Sequence, residues 1–135
     1  MKELGVLGRT IRPLSRRSRF RLERLRVDPL AYALVARIAR MRRVSLRDVM
    51  QGTRGTGSAA QTRQLAMYLV HVLLSRPQDV VGELFGRDRT TVSHACAQIE
   101  LLRDEDPLLG AEVARIEGEG WGQLLGARLE LSDVA

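Results

Sequence analysis

Lysine is almost missing from this chain. Of its 22 basic residues only Lys2 is a lysine, so charge recognition falls to arginine, whose planar fork pairs with phosphate or guanine in two places at once. A single cysteine, Cys96, excludes an internal disulfide and fits a reducing compartment. It lies on the apolar side of its segment and reads as a packed residue rather than a reactive thiol. Two histidines, His71 and His94, together with that cysteine do not make a zinc site. Aromatic residues are 4% of the chain, which leaves few platforms for stacking single-stranded nucleic acid. No apolar run approaches the ~20 residues of a membrane span. The N-terminus lacks the apolar core of a signal peptide, so the chain is read as cytoplasmic. There is no phosphate-binding GxxxxGK[ST] motif, and no Ser–His–Asp or paired-carboxylate arrangement follows from spacing. The chain is therefore read as a non-enzyme, with no metal and no cofactor.

What is present is charge of unequal distribution. The 135 residues carry a net +6, but residues 1–26 hold +7, residues 27–106 hold +2 and residues 107–135 hold −3. A chain polarised in this way favours a polyanionic partner. The length suits one domain with tails, and 44% hydrophobic content suits a buried core. The expected division is a basic N-terminal arm over residues 1–27, a helical domain over 28–106 and a C-terminal helical extension over 107–135.

Along the arm, "RTIRPLSRRSRFRLERLR" is broken by Pro13, and its Ser/Arg mixture before Phe20 reads as extended or disordered. From Ser18 a few helical turns fit Phe20, Leu22 and Leu25. Three roles stand open for it: a clamp on DNA phosphates, a solubilising tail, or a membrane-surface or targeting segment. Asp28-Pro29 is a cap followed by Pro at the first helical position, and Leu30, Leu34, Val35, Ile38 and Met41 carry a helix to about Arg42. Ser45 to Asp48 is a capping box in its Asp form, and its short helix ends at Gly52. Residues 52–60, with Gly55 and Gly57, read either as a loop lying along a phosphate backbone or as a plain loop. Arg63 and Gln64 are expected to open the next helix, whose first amides suit a phosphate. That helix, with Leu65, Met67, Tyr68, Leu69, Val72 and Leu73, stops before Pro77.

The most informative stretch follows. "SRPQDVVGELFG" is a short helix of about seven or eight residues, Gln78 to Phe85, ended by Gly86. "GRDRTTVSHAC" then opens a second helix with Asp88 as its expected N-cap, accepting from first-turn amides. Val92, Ala95, Cys96, Ile99 and Leu102 form one apolar stripe. Arg89, Thr90, Ser93, His94 and Ala97 fall on the other side. A short helix, a Gly-containing turn and a capped helix with a polar outer face make a helix-turn-helix. Arg, hydroxyls and imidazole on the first two turns suit the DNA major groove.

These residues carry a resemblance. "TRQLAMYLVHVLLSRPQDVVGELFGRDRTTVSHACAQIELLRDEDP" resembles the C-terminal DNA-binding domain of the bacterial replication initiator DnaA, most specifically in "RDRTTVSHA" and "RQLAMYL". The likeness covers roughly Asp28 to Pro107. It implies an all-helical domain in which Asp88, Arg89, Thr90, Thr91 and His94 meet the major groove. Four departures from the family pattern stand out. Arg89 replaces a usual His, one Gly (Gly86) stands where a pair is common, and His71 replaces a frequent Lys. The basic loop that sends an Arg into the minor groove corresponds to "GTRGTGSAAQT", where Arg54 is the nearest substitute.

The expectation is a small all-α helical bundle with a helix-turn-helix and a basic arm, binding double-stranded DNA and associated with the nucleoid. Arg89, Thr90, Thr91, Ser93 and His94 would face the major groove beside Asp88, while Arg54, Arg63, Gln64 and the arm hold phosphates. Its role would be transcriptional regulation or modulation of replication initiation. The rival is a protein-interaction module working through a homodimer or a protein partner at residues 107–135. In that extension Leu109, Val113 and Ile116 suggest a short helix broken at Gly118 and Gly120. Trp121 and the later leucines are expected to cover the core or a partner, with Leu101 as one landing site.

Overall fold

A computed structural model describes residues 16–51 and 57–123 and folds them into seven helices, with no strand among the described residues. They are α1 (Arg16–Arg26), α2 (Pro29–Arg42), α3 (Leu46–Val49), α4 (Gly57–Leu73), α5 (Gln78–Phe85), α6 (Arg89–Glu105) and α7 (Pro107–Glu117). The all-α expectation is met.

The architecture follows from α4. Its residues Leu65, Ala66, Met67, Tyr68, Leu69 and Val70 are consecutive and all buried. A helix apolar around its whole circumference must be covered on every side. Accordingly α2, α3, α5 and α6 all pack against it. The expected apolar stripe of α6 supplies one wall, with Val92, Ala95, Cys96 and Ile99 buried.

Local signals set several boundaries where the sequence placed them. Asp28 Oδ1 accepts from the Ala31 amide at 3.2 Å, and Pro29 begins α2. Arg43 ends that helix in the left-handed region. Ser45 Oγ accepts from the Asp48 amide at 3.1 Å. Asp106 caps α7 by accepting from Leu108 and Leu109. Two expectations change. Residues 16–20 are helical rather than extended, and Leu25 of α1 is fully buried in the common core, with α1 against α2 and α5. Helix α4 begins at Gly57 rather than near Arg63, because Ala59 is already buried and the Thr62 hydroxyl donates to the Ser58 carbonyl at 2.7 Å. The first turn of α4 is therefore a packed turn.

Arginine–carboxylate pairs tie the ends together. Arg42 grips Glu112 with Nε at 3.1 Å and Nη2 at 2.6 Å, and its Nη1 donates to Gln61 at 2.7 Å. Arg37 pairs with Glu119 at 2.6 Å, and Glu119 also accepts from Trp121 Nε1 at 3.1 Å. The acidic extension thus lies in cis against α2. Its Leu109, Val113 and Ile116 are buried, and Trp121 packs partly against the core. The later leucines lie at 124–135, outside the described residues, while Leu101 is 54% exposed.

Arg76 clamps Asp28 with Nε at 2.6 Å and Nη2 at 3.2 Å, joining the start of α2 to the α4–α5 connection. The hydrogen bond from Arg76 holds the Asp28 carboxyl below its ordinary value of 3.8. Folded Asp28 therefore releases its proton more easily than unfolded Asp28. Its contribution is complete above the unfolded value and fades as pH falls through the folded one. Asp28→Ala should lower stability at pH 7 by about 2 kcal/mol, from the absent cap and the absent ionic hydrogen bonds. Denaturant melts across pH 2–7 should show the gap between variant and wild type closing toward the acid end.

Candidate nucleic-acid interface

Helix α5 is short and its far end is sharply turned. Gly86, at φ 66°, donates its amide to the Glu83 carbonyl at 3.3 Å, and the Arg87 amide donates to the Gly82 carbonyl at 2.8 Å. Gly82 is a requirement that periodicity does not reveal. A Cβ there would stand 2.6 Å from the Arg87 carbonyl oxygen, and backbone cannot yield as a flexible side chain does. The one signal in the sequence is a glycine inside a short helix otherwise made of good apolar packers. This close approach lets α6 leave the turn directly at Arg89.

The first two turns of α6 present the expected face. Asp88, Arg89, Thr90, Thr91, Ser93 and His94 are all exposed, while Val92, Ala95 and Cys96 point inward. Asp88 occupies the N-cap position, but its side chain makes no capping hydrogen bond. Its carbonyl accepts from the Val92 amide at 3.2 Å, and the carboxylate stays exposed on the outer surface. Thr90, Ser93, His94 and Ala97 line a shallow depression of ≈ 260 Å³.

A second groove, of ≈ 240 Å³, separates α6 from α4 and is lined by Arg63, Gln64, Arg87, Thr91 and His94 among others. Two of the expected phosphate contacts are therefore beside the α6 face. Gln64 is half-buried at this groove. Arg63 is only 8% exposed and donates Nη1 to the Val49 carbonyl at 3.0 Å. Both residues sit in the second turn of α4 rather than at its start, so the helix's first amides are not theirs to offer. Burial, then the neighbouring Arg21, pushes the Arg63 pKa down. Arg87, expected only as part of the turn, is pushed down to about 10 by burial, then by Arg63 and Arg21, and is charged at neutral pH. Arg54, the remaining expected phosphate contact, lies outside the described residues.

His71 turns inward: its Nδ1 lies 2.7 Å from the Arg76 carbonyl, so Nδ1 carries the proton, a carbonyl being only an acceptor. Burial raises the Cys96 pKa first of all, in keeping with a packed thiol. Among the described residues no helix is long and apolar enough to cross a membrane, and no group of three or more His, Cys, Asp or Glu is placed to hold a metal ion.

A short helix, a glycine-bearing tight turn and a second helix with buried stripe and polar outer face define a helix-turn-helix protein. The comparison with known families agrees. Residues 33–99 match the family described as bacterial dnaA protein helix-turn-helix. Three curated relatives are each named chromosomal replication initiator protein DnaA. The one from a Bradyrhizobium species is 40% identical over 81 residues, which is 59% of this chain and 17% of that protein. The Nitrobacter hamburgensis protein is 42% identical over 77 residues, 56% of this chain and 16% of its own length. For Sphingopyxis alaskensis the values are 42% over 71 residues, 52% and 16%. The match therefore spans less than a fifth of these relatives.

If the turn depends on the bare backbone at Gly82, Gly82→Ala should destabilise the fold by about 1–3 kcal/mol, as overpacking does. Chemical denaturation measures this directly, and a neutral result would mean that the α5–α6 crossing is looser than described.

Proposed function

We propose that this chain binds double-stranded DNA by laying the first two turns of α6 in the major groove. The single observation that carries the reading is the shared exposure of Arg89, Thr90, Thr91, Ser93 and His94 on one helical face. The groove of B-DNA admits a helix, arginine pairs bidentately with guanine, and threonine can hydrogen-bond or set its methyl against thymine. Arg63, Gln64 and Arg54 supply phosphate contacts around that helix, and the exposed Arg16 and Arg19 of α1 add charge from the N-terminal side. Phosphate contacts hold the register, and base edges carry the sequence information.

The biological role that fits is control at replication origins or promoters by occupying sites, since the relatives are named as replication initiators. Arg89, standing where the family usually has His, gives the chain a base preference of its own. The rival is a module acting through residues 107–135, of which only those up to 123 are described, and in that part Leu108 is exposed. Leu109, Val113 and Ile116 are buried in cis, and Glu112 and Glu119 are paired with α2.

Arg89→Ala should weaken binding to the preferred duplex by about 1–3 kcal/mol and relax preference at one position. Arg89→His should move the preferred sequence. Selection of bound sites from random duplex DNA, run on all three proteins, reads both effects. Identical site preferences and affinities would remove α6 from the major groove. Replacing Arg16 and Arg19 together by Gln should weaken binding to all sequences alike. The slope of log affinity against log salt should fall by about 0.9 for each phosphate no longer neutralised, which a salt titration measures.

A further inference from the structure

Among the described residues five large apolar side chains stand exposed, and four of them fall at two places. Phe20 and Val27 belong to α1 and the turn that follows it. Leu101 and Leu108 stand on either side of Asp106, where α6 gives way to α7. The two places differ in the sign of their charge. Beside Phe20 and Val27 are the exposed Arg16, Arg19, Arg24 and Arg26, with Glu23 the one acid on that helix. Between Leu101 and Leu108 are the exposed Asp104 and Glu105, and among the described residues neither forms an ion pair.

Each place also has a shape. Phe20 and Arg24 are one helical turn apart, and the Arg24 guanidinium sits 5.0 Å from the centroid of the Phe20 ring. This cation–π contact holds the pair as one projecting unit. Val27, 80% exposed, follows it directly, its amide donating to the Arg24 carbonyl at 3.1 Å. At the other place lies a hollow of ≈ 460 Å³, lined by Asp106, Leu108, Leu109 and Glu112 and bounded on the α2 side by Arg42. Leu108, one of its walls, is 79% exposed. Arg42 has all three guanidinium nitrogens committed to Glu112 and Gln61. Asp106 caps α7 through Oδ1 alone, so its Oδ2 is left for another donor.

Knob and hollow do not meet within one molecule. Val27 lies just before α2 and Arg42 is its last turn, a separation of about 20 Å along the helix axis, and no residue of α1 lines the hollow. DNA suits neither place. A phenyl ring gains nothing from a phosphate backbone, and Asp104 and Glu105 are repelled by one. Two exposed apolar surfaces of opposite charge on one chain are complementary to each other.

We propose that the Phe20–Arg24 knob of one copy seats in the hollow beside Leu108 of a second copy, with the Arg24 guanidinium against Asp104, Glu105 and Asp106. Knob and hollow are different surfaces, so the contact is head-to-tail, and each added copy leaves one knob and one hollow open. This association is independent of the DNA reading and stands without it.

The test is sedimentation of the full chain, without DNA, over a range of concentrations at low salt. It compares wild type, Phe20→Gln, Leu108→Gln and an equimolar mixture of the two variants. The average mass of the wild type should rise with concentration beyond the dimer and fall back as salt is added. Each variant alone should associate at least about tenfold more weakly. In the mixture one intact knob meets one intact hollow, so association should return as a 1:1 complex that grows no further. Both altered side chains are exposed, so the variants should melt as the wild type does. Should one fail to fold, Arg24→Glu replaces the change on α1 and Asp104→Lys the change at the hollow. A wild type of constant mass at every concentration would overturn the contact, as would association that neither variant weakens. A mixture that stays monomeric would refute the pairing of Phe20 with Leu108, and growth that stops at the dimer would refute the head-to-tail arrangement. A monomeric wild type that binds anionic phospholipid vesicles through Phe20 would end the proposal and give that face to a membrane.

Discussion

Six consecutive buried residues in the middle of α4, Leu65 to Val70, are the constraint from which the fold follows. A helix with no polar face has no stable place except the centre, so four other helices are recruited around it. Helix α6 is one of them, and its apolar stripe is narrow. Once Val92, Ala95, Cys96 and Ile99 are turned toward α4, the remaining circumference of the first two turns must face outward. The polar outer face of α6 is thus a by-product of how the core is closed. Tyr68 strengthens the same contact from within α4: its hydroxyl accepts from Arg103 at 2.8 Å and donates to Glu100 at 3.1 Å, both on α6.

Electrostatics divides the molecule into two kinds of arginine. Three on α2 and at the α4–α5 connection are answered within the protein, Arg37 by Glu119, Arg42 by Glu112 and Arg76 by Asp28. Among the described residues, Arg63 on α4 and Arg87 at the turn bond to backbone carbonyls and form no ion pair. A paired arginine contributes to the fold and offers little to an anion; one without a carboxylate keeps its field for a partner. In the described part of the acidic extension, Glu112 and Glu119 are taken up by α2. The same part also buries Leu109, Val113 and Ile116 in the common core.

Much of this was legible in the chain, and for a local reason. The bounds of α5, the start and end of α2, the caps at Asp28 and Ser45 and the stripe of α6 depend on residues within one or two turns of each other. Pro29 pre-sets a helical φ, Gly86 accepts a left-handed one, and apolar residues three and four apart share a face wherever the helix lies. The exposed members of the site, Asp88 to His94, follow from that periodicity alone. The side-chain cap expected of Asp88 does not form, since a good capping residue can equally leave its carboxylate in water.

Contacts between distant parts of the chain were decided by tertiary packing alone. Arg63 was expected to open its helix and hold a phosphate, yet it lies in the second turn and is buried, with the Val49 carbonyl accepting from it and Arg21 as a neighbour. The extension's glutamates reach α2 across 70 and 82 residues of sequence. The N-terminal stretch looked like a free basic arm, and its composition is that of one. Leu25 and Arg21 nevertheless find a seat against α2 and α5 that exists only once those helices have packed. Sequence alone determined which faces are apolar, where helices start and stop, and which side chains of α6 point outward, because these follow from backbone geometry over a few residues. Which arginines find carboxylates and which stay available to an anion was decided only when seven helices met, because that depends on the distance between groups the chain keeps far apart.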